Sequence, residues 1–248
     1  MSDFAFVSNV DDGISKNISQ RGFKFKRYDF KDLNLALSNG HGFTSVFDDG
    51  SLSIEDLRSL SQKCDKLYVP DFSRFSELDR SGAQVSLFHH WVDEDFFYYK
   101  KKSSFSFDCF CYKSTNEELL KLLRKRFNVF VCGKGLTDEA KCSLLQKSKI
   151  YCHFGEGDLI GKEIFEAGGC GKMVLCNEIP SKGGMDLFFE DGVHLINYEN
   201  IEDCLKKIDL YLKDEYTRYE IGEGICNQIK KLHTSKKRAK EIIRDFIK

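Results

Sequence analysis

The sequence predicts an α/β protein with two domains, each built on a parallel sheet covered by helices. Short apolar runs alternate with amphipathic stretches twice along the chain, which is the pattern of parallel strands joined by crossover helices. A polar segment rich in lysine and serine, at residues 100–104, breaks this alternation once. We therefore expect a first domain at 1–92, a linker at 93–104 and a second domain at 105–248.

The first domain is predicted from apolar runs that end in turn-forming residues. Strands are expected at 4–7, 23–28, 44–47, 66–69 and 85–88, and helices at 14–21, 33–37 and 53–62. Ser53, with Asp56 three residues later, is typical of a helix N-terminus. A strand that leads through a polar turn into a helix is how a Rossmann-type domain begins.

The second domain is predicted to have the same alternation of strands and helices. Strands are expected at 107–112, 128–132, 150–154, 173–176 and 194–198, and helices at 117–127, 138–148, 201–212, 218–232 and 238–247. The last helix is amphipathic and is free to return to the first domain. We expect a cleft between the two domains.

Composition narrows the class of protein. The chain has 38 basic and 39 acidic residues among 248, so its net charge of −1 gives no overall attraction to nucleic acid or anionic membranes. The ten cysteines form no C-x-x-C pair, which favours reduced core thiols over disulfides or zinc ligands. No signal peptide and no apolar run of about 18 residues is evident, so we expect a soluble cytoplasmic protein without membrane insertion.

One stretch, residues 158–174, combines several signals. Asp158 and Glu166 stand eight positions apart, and small residues at 167–171 and an apolar run from Met173 follow them. The pattern predicts a loop, a short helix, a tight turn and a buried strand. Two acids at this spacing are by themselves more often a solvated surface.

This stretch resembles the donor-binding signature of GT-B-type nucleotide-sugar glycosyltransferases, which have two Rossmann-like domains. The resemblance implies that Glu166 hydrogen-bonds the ribose hydroxyls of the donor and that Asp158 lies near the transferred sugar. The family more often has Glu at the first position, so the shorter Asp158 changes the reach of that group. A carboxylate in an open cleft would not belong to the core, so replacing Glu166 is expected to leave folding almost unchanged.

The C-terminal half also resembles bacterial spore-maturation-type (CgeB-like) glycosyltransferases. The resemblance covers residues 105–248. Over residues 1–92 it is limited to the alternation of predicted strands and helices. The matching elements are Asp191-Gly192, Tyr198, Tyr211-Leu212, Arg218 with Ile221, and His233-Thr234 with Arg238.

The resemblance implies that the donor diphosphate is bound without metal, by backbone N–H groups at a helix N-terminus and by basic side chains. The candidates at the loop ends of the second domain are Lys113, Gly133, Lys134, Gly161 and Lys162. Each lysine has the alternative of being a solvated surface residue. The family's second lysine, five positions after the first, is replaced by Glu118.

A catalytic base or acceptor-orienting group is expected from the first domain. His41 lies in a glycine-rich loop before a strand, where a histidine can titrate near neutrality. An exposed loop histidine is the alternative, His89 and His90 are comparable candidates, and His153 on a strand is expected to be structural. The acidic run at 93–95 fits the metal-binding D-x-D pattern of the other large glycosyltransferase fold, or simply an acidic helix start. A retaining enzyme would need no strong base.

The resulting hypothesis is a hexosyl- or pentosyltransferase that moves a sugar from a nucleoside diphosphate sugar, most readily a UDP-sugar, to an acceptor hydroxyl. We expect retention, no metal and no other cofactor. The acceptor is a saccharide, a protein or a hydroxymethylated base of DNA. The alternative is a non-catalytic GT-B-like binding or regulatory module.

Overall fold

The structure is a computed structural model that describes residues 4–7, 13–21, 25–28, 43–48, 52–100, 104–112, 117–133, 135–154, 160–177 and 184–247. The chain forms two compact units. Met1–Asp93 and Ser235–Lys248 make up the first unit, and Glu94–Thr234 makes up the second. Residues 235–248, which the sequence analysis placed in the second domain, are thus grouped with the first unit.

The first unit contains a five-stranded parallel sheet in the order β2-β1-β3-β4-β5. Its strands are β1 (Phe4–Val7), β2 (Phe25–Tyr28), β3 (Phe43–Phe47), β4 (Lys66–Val69) and β5 (Val85–Leu87). Its helices are α1 (Ile14–Gln20), α2 (Ile54–Ser61) and α3 (Phe72–Arg80), with α9 (Ser235–Ile247) from the end of the chain. The predicted helix at 33–37 lies outside the described residues.

Side-chain caps fix where two of these helices begin. The Ser53 hydroxyl accepts a hydrogen bond from the Asp56 backbone N–H at 3.1 Å, as the sequence predicted. Helix α3 was not predicted, although its apolar residues Phe72, Phe75 and Leu78 stand at the spacing of one helix face. Its cap is Asp71, whose carboxylate accepts the Arg74 backbone N–H at 2.8 Å.

The terminal helix α9 completes the core of the first unit. Its apolar residues Ala239, Ile242 and Ile243 are buried against Ile14 and Ile18 of α1. Two side-chain hydrogen bonds also orient α9 in this unit: Tyr68 donates to Asp245 at 2.9 Å, and Asn17 donates to Ser235 at 3.1 Å. This helix therefore does return to the first unit, as its amphipathic pattern allowed.

The second unit has a five-stranded parallel sheet in the order β10-β9-β8-β6-β7. Its strands are β6 (Phe107–Tyr112), β7 (Val129–Cys132), β8 (Ser148–His153), β9 (Met173–Asn177) and β10 (Ile196–Tyr198). Its helices are α4 (Glu117–Arg126), α5 (Asp138–Gln146), α6 (Lys162–Gly169), α7 (Ile201–Lys213) and α8 (Glu215–Leu232). The predicted α/β class with parallel sheets is confirmed.

Two residues of α8, Arg218 and Gly222, have structural roles in this unit. The buried Arg218 guanidinium donates to the backbone carbonyls of Tyr211 at 2.6 Å and Leu212 at 3.3 Å, and so caps the end of α7. Gly222 lets α8 lie against the turn before β9, because a Cβ there would be 2.4 Å from the Gly171 carbonyl oxygen.

Candidate functional site

The second sheet has a topological switch point between β6 and β8. From β6 the chain adds β7 on one side, and it then adds β8 and its successors on the other side. In doubly wound sheets, ligands bind beyond the carboxyl ends of the strands at such a point. Tyr112 is the last residue of β6 and His153 is the last residue of β8, so both lie at this edge.

Helix α6 begins beside this edge and carries Glu166. Its N-cap is Gly161, whose backbone is extended and which provides no side-chain cap. Ile164 and Phe165 are fully buried and anchor the helix in the core. The predicted order of short helix, turn and buried strand is confirmed by α6, the turn at Gly171 with a φ of 69°, and β9.

The Glu166 carboxylate is held by three side chains from three elements. The Tyr112 hydroxyl donates to one carboxylate oxygen. The Lys141 ammonium, from α5, donates to the other at 3.0 Å, and Lys162 lies 3.5 Å from that same oxygen. Glu166 is only 2% exposed. The carboxylate is therefore buried and paired, whereas the sequence analysis expected it in an open cleft outside the core.

The electrostatics of this cluster keep its donors protonated. Burial and the neighbouring Glu166 carboxylate both raise the pKa of Tyr112, so its hydroxyl keeps its proton. Burial opposes the charge of Lys141, but the attraction of Glu166 and Asp138 outweighs it and raises the pKa of the ammonium. Lys141 also ion-pairs with Asp138 at 2.5 Å and lies 5.4 Å from the centre of the Phe97 ring. The result is a paired carboxylate with fixed orientation.

His153 lies next to Gly161, at the start of α6. Its Nδ1 and the Tyr151 hydroxyl are 3.0 Å apart, and burial lowers the pKa of His153 to about 4, so the ring is neutral at physiological pH. Within the part of the chain that the structure describes, its Nε2 has no hydrogen-bond partner. A Cβ on Gly161 would come within 2.8 Å of the ring, so glycine is needed for this close approach.

The structure places four of the predicted site residues. Glu166, Lys162 and Gly161 come together at the start of α6, and Gly133 directly follows β7 on the far side of β6. The other four predicted residues lie outside the described residues: His41, Lys113, Lys134 and Asp158.

The alternative candidates of the first unit are packed residues. His89 is buried, and burial together with the charge of Arg238 lowers its pKa to about 3. The His90 ring lies edge-on to Phe47 at 6.1 Å. Asp93 is buried beside Gly13 at the start of α1, where an added Cβ would be 2.3 Å from its carboxylate. In the described ranges no group of three or more potential ligand side chains is placed to hold a metal.

The small residues after Glu166 serve packing and the turn. A Cβ on Gly168 would lie 2.5 Å from Ile229 and 2.9 Å from Ile225, both on α8. Gly171 combines its positive φ with a close approach of the Tyr99 ring. The cluster thus lets α6 lie close to α8, which fixes the position of Glu166.

Sequence reasoning missed two partners of Glu166. Tyr112 and Lys141 stand 54 and 25 positions away in the chain. Tyr112 carried a usable signal, because it is the last polar residue of a predicted buried strand. Lys141 carried none, since it was one lysine among many on a predicted helix.

The arrangement of this chain recurs in solved structures. Sucrose-phosphate synthase from Thermosynechococcus elongatus has a TM-score of 0.76 at 8% identity, over 99% of this chain and 98% of that one. HepE from Anabaena, in complex with UDP-glucose, gives 0.66 at 10% identity over 98% and 100%. The DNA-modifying enzyme β-glucosyltransferase gives 0.60 at 8% identity over 98% of each chain. The fold is therefore of the GT-B type, as predicted.

The sequence itself identifies the family. Residues 108–244, more than half of the chain, match the profile of the family described as glycosyl transferase-like, so the chain belongs to that family. The match spans α6, Glu166 and the second sheet apart from Phe107, the first residue of β6. No curated protein matches the chain. Among the described residues, no helix is both long and apolar enough to span a bilayer.

Proposed function

We propose that this chain transfers a sugar from a nucleoside diphosphate sugar to an acceptor hydroxyl, with Glu166 binding the ribose of the donor. Membership in the glycosyl transferase-like family supports the reaction class. The observation that carries the residue assignment is the position of Glu166, which is bonded to the last residue of β6 at the switch point of the second sheet.

The carboxylate has acceptor positions left for the ribose hydroxyls. Two oxygens offer about four acceptor positions, and the hydrogen bonds from Tyr112 and Lys141 use two of them. Lys162 makes the longest of the three contacts, and its side chain is 25% exposed. We expect the ribose to take the place of the Lys162 ammonium beside Glu166 and to leave this lysine for the diphosphate.

The start of α6, where the N-cap Gly161 has no side chain to bond the first backbone N–H groups, suits the diphosphate. A helix N-terminus carries partial positive charge and backbone donors, and these bind phosphate oxygens. Gly161 provides the close approach there, Lys162 adds a cation, and Gly133 follows β7, the strand on the far side of β6. Lys113, Lys134 and Asp158 belong to this proposal through the family resemblance, with Asp158 next to the transferred sugar and His41 next to the acceptor.

The donor, the outcome and the subfamily are further parts of the proposal. We propose UDP as the nucleotide; the similar fold of HepE was solved with UDP-glucose. We also propose retention of the anomeric configuration, independence of metal, and kinship with the spore-maturation-type subfamily. The acceptor is a saccharide, a protein or, as for the DNA-modifying β-glucosyltransferase of similar fold, a modified base of DNA.

A screen of nucleotide sugars tests the reaction. The chain is incubated with each donor alone and with glycan, protein or hydroxymethylated-DNA acceptors, and products are read by mass spectrometry. We expect UDP release with at least one donor, unchanged by a chelator of divalent cations. Donor binding without turnover under any condition would instead support a non-catalytic binding module, and a requirement for added manganese would contradict metal independence.

A further inference from the structure

The cysteines Cys142 and Cys170 form a pair beside the candidate site. Their Sγ atoms are 3.5 Å apart, with the Cys170 thiol donating to Cys142. Cys142 is on α5 and Cys170 directly follows α6. All ten cysteines lie in the described part of the chain and all are free thiols, so this pair is reduced in the structure.

Cys142 is surrounded by hydrogen-bond donors. The Gln146 side-chain amide donates to its Sγ at 3.3 Å, in addition to the Cys170 thiol. The bond from Cys170 is the main cause that lowers the pKa of Cys142, to about 7, against the opposing effect of burial; a backbone bond at Tyr98 and the Lys172 charge add to it. Burial raises the pKa of Cys170, which keeps its proton. Cys142 is 4% exposed and Cys170 is 0% exposed, so the pair is a buried thiol of lowered pKa next to a buried thiol that stays protonated.

We propose that Cys142 and Cys170 are an oxidative modification site that closes to a reversible disulfide when hydrogen peroxide reacts with Cys142. The Cys142 thiolate attacks one peroxide oxygen, the O–O bond breaks, and a sulfenic acid and hydroxide form. The Cys170 sulfur then attacks the Cys142 sulfur, the S–O bond breaks and water leaves with the Cys170 proton. Two thiols lose two electrons, the peroxide gains them as two waters, and a dithiol reductant reverses the reaction.

The disulfide would act on the Glu166 cluster. A disulfide needs about 2.05 Å between the sulfurs, so atoms now 3.5 Å apart must move together. Lys141 precedes Cys142 on α5, and the Cys170 N–H donates to the Glu166 carbonyl at 3.2 Å. The new bond therefore links the two segments that carry the Lys141–Glu166 ion pair. We expect oxidation to weaken nucleotide binding about tenfold, which corresponds to about 1.4 kcal/mol; this part rests on the proposed function.

Peptide mapping of the whole chain tests the modification. The chain is treated with hydrogen peroxide, its remaining thiols are alkylated, and the digest is analysed without reduction. We expect a cross-linked peptide pair containing Cys142 and Cys170 that disappears after treatment with a dithiol. Retention of both thiols in alkylated form, or a cross-link between other cysteines in its place, would overturn the proposal. The parent protein suffices for this result, so it does not depend on the folding of any variant.

Variants and nucleotide binding complete the test. Cys142→Ser and Cys170→Ser should each abolish the cross-link, whereas Cys226→Ser, at a buried thiol 3.5 Å from the Gly169 carbonyl oxygen, should keep it. UDP affinity is then measured on the reduced, oxidised and re-reduced parent. A reversible fall on oxidation supports the coupling, and a cross-linked chain that binds UDP unchanged refutes it. A reduced chain that binds no UDP would contradict the proposed function, while the peptide map would still decide the disulfide.

Discussion

Glu166 is at once a buried ion-pair partner and the candidate ribose ligand. Its carboxylate accepts from Tyr112 and Lys141, and both donors come from elements that meet only in the folded chain. A buried carboxylate is tolerated when it is paired and hydrogen-bonded, and its removal leaves the partners unsatisfied. If Glu166 also binds the donor ribose, as proposed, stability and donor binding depend on the same side chain.

The first prediction concerns stability at this residue. Glu166→Ala should lower the free energy of unfolding by about 1–3 kcal/mol, because the Tyr112 hydroxyl and the Lys141 ammonium lose their buried acceptor. Glu166→Gln keeps the volume and one acceptor, so its loss should be smaller. Denaturant unfolding measures both. Glu223→Ala, at an exposed position of α8, serves as the control. Equal stabilities of Glu166→Ala and the control would show that the carboxylate is not part of the fold.

The second prediction concerns the pH dependence of stability through His153. Its pKa in the folded state is about 4, against an ordinary 6.5. As pH falls from 6.5 to 4 the unfolded chain gains a proton that the folded chain does not, so stability is lost across this window. The contribution is at most about 1.4 kcal/mol per pH unit. His153→Gln should show a shallower loss than the parent in denaturant unfolding at several pH values. Parallel curves would contradict a neutral buried imidazole.

At the scale of elements, close packing between α6, α8 and the turn before β9 positions the site. Gly222 of α8 faces the Gly171 carbonyl, and Gly168 of α6 faces Ile225 and Ile229 of α8. These contacts fix the position of α6, and in this position the Glu166 carboxylate accepts the hydrogen bond from the Tyr112 hydroxyl. Because Gly222 packs directly against backbone atoms, there is no space for a side chain at this position.

The third prediction follows from that contact. Gly222→Ala should lower stability by about 1–3 kcal/mol, although alanine is normally better than glycine inside a helix by about 1 kcal/mol. The reason is that the new Cβ would lie 2.4 Å from a backbone oxygen, which cannot rotate away. Thermal unfolding measures the loss. Gly133→Ala, where an added Cβ meets no atom within 4 Å, should change stability little. A stabilising Gly222→Ala would mean that α8 does not lie against this turn.

Most elements were predictable because their signals are local. Apolar runs and turn residues predicted the strands of both sheets, and Ser53 predicted the start of α2. Helix α3 was missed although Phe72, Phe75 and Leu78 stand at the spacing of one helix face and Asp71 is a typical N-cap. The local motif predicted Glu166, whereas its partners Tyr112 and Lys141 depend on long-range packing that spacing cannot reveal. The small-residue cluster was recognised, but its packing role against α8 required the structure.

At the scale of the whole molecule, the chain leaves the first unit after Asp93 and returns to it at Ser235. The Ser235 N–H donates to the Val92 carbonyl at 2.9 Å, so the outgoing and returning segments meet within that unit. The apolar face of α9 then covers α1. The integrity of the first unit thus depends on residues that are distant in sequence.

The fourth prediction tests this dependence. Ile242→Ala should destabilise the first unit by about 2–5 kcal/mol, because Ile242 is fully buried in the core that α9 shares with α1. Ile247→Ala, at a residue of the same helix that is 66% exposed, should change stability by less than about 0.5 kcal/mol. Hydrogen exchange of β1, β3 and β4 under native conditions measures the effect. Unchanged protection of these strands in Ile242→Ala would contradict a core role for α9.

The most direct test of the central claim is a binding cycle that removes the ribose hydroxyl and the carboxylate separately and together. Calorimetry compares UDP with 2′-deoxy-UDP on the parent and on Glu166→Gln. If Glu166 binds the ribose, the parent should prefer UDP by about ten- to a hundredfold, the worth of a charge-assisted hydrogen bond of about 1.5–3 kcal/mol. That preference should nearly vanish in the folded Glu166→Gln variant. An equal preference in both proteins, or a parent that binds neither nucleotide, would contradict the assignment of Glu166 as the donor ligand.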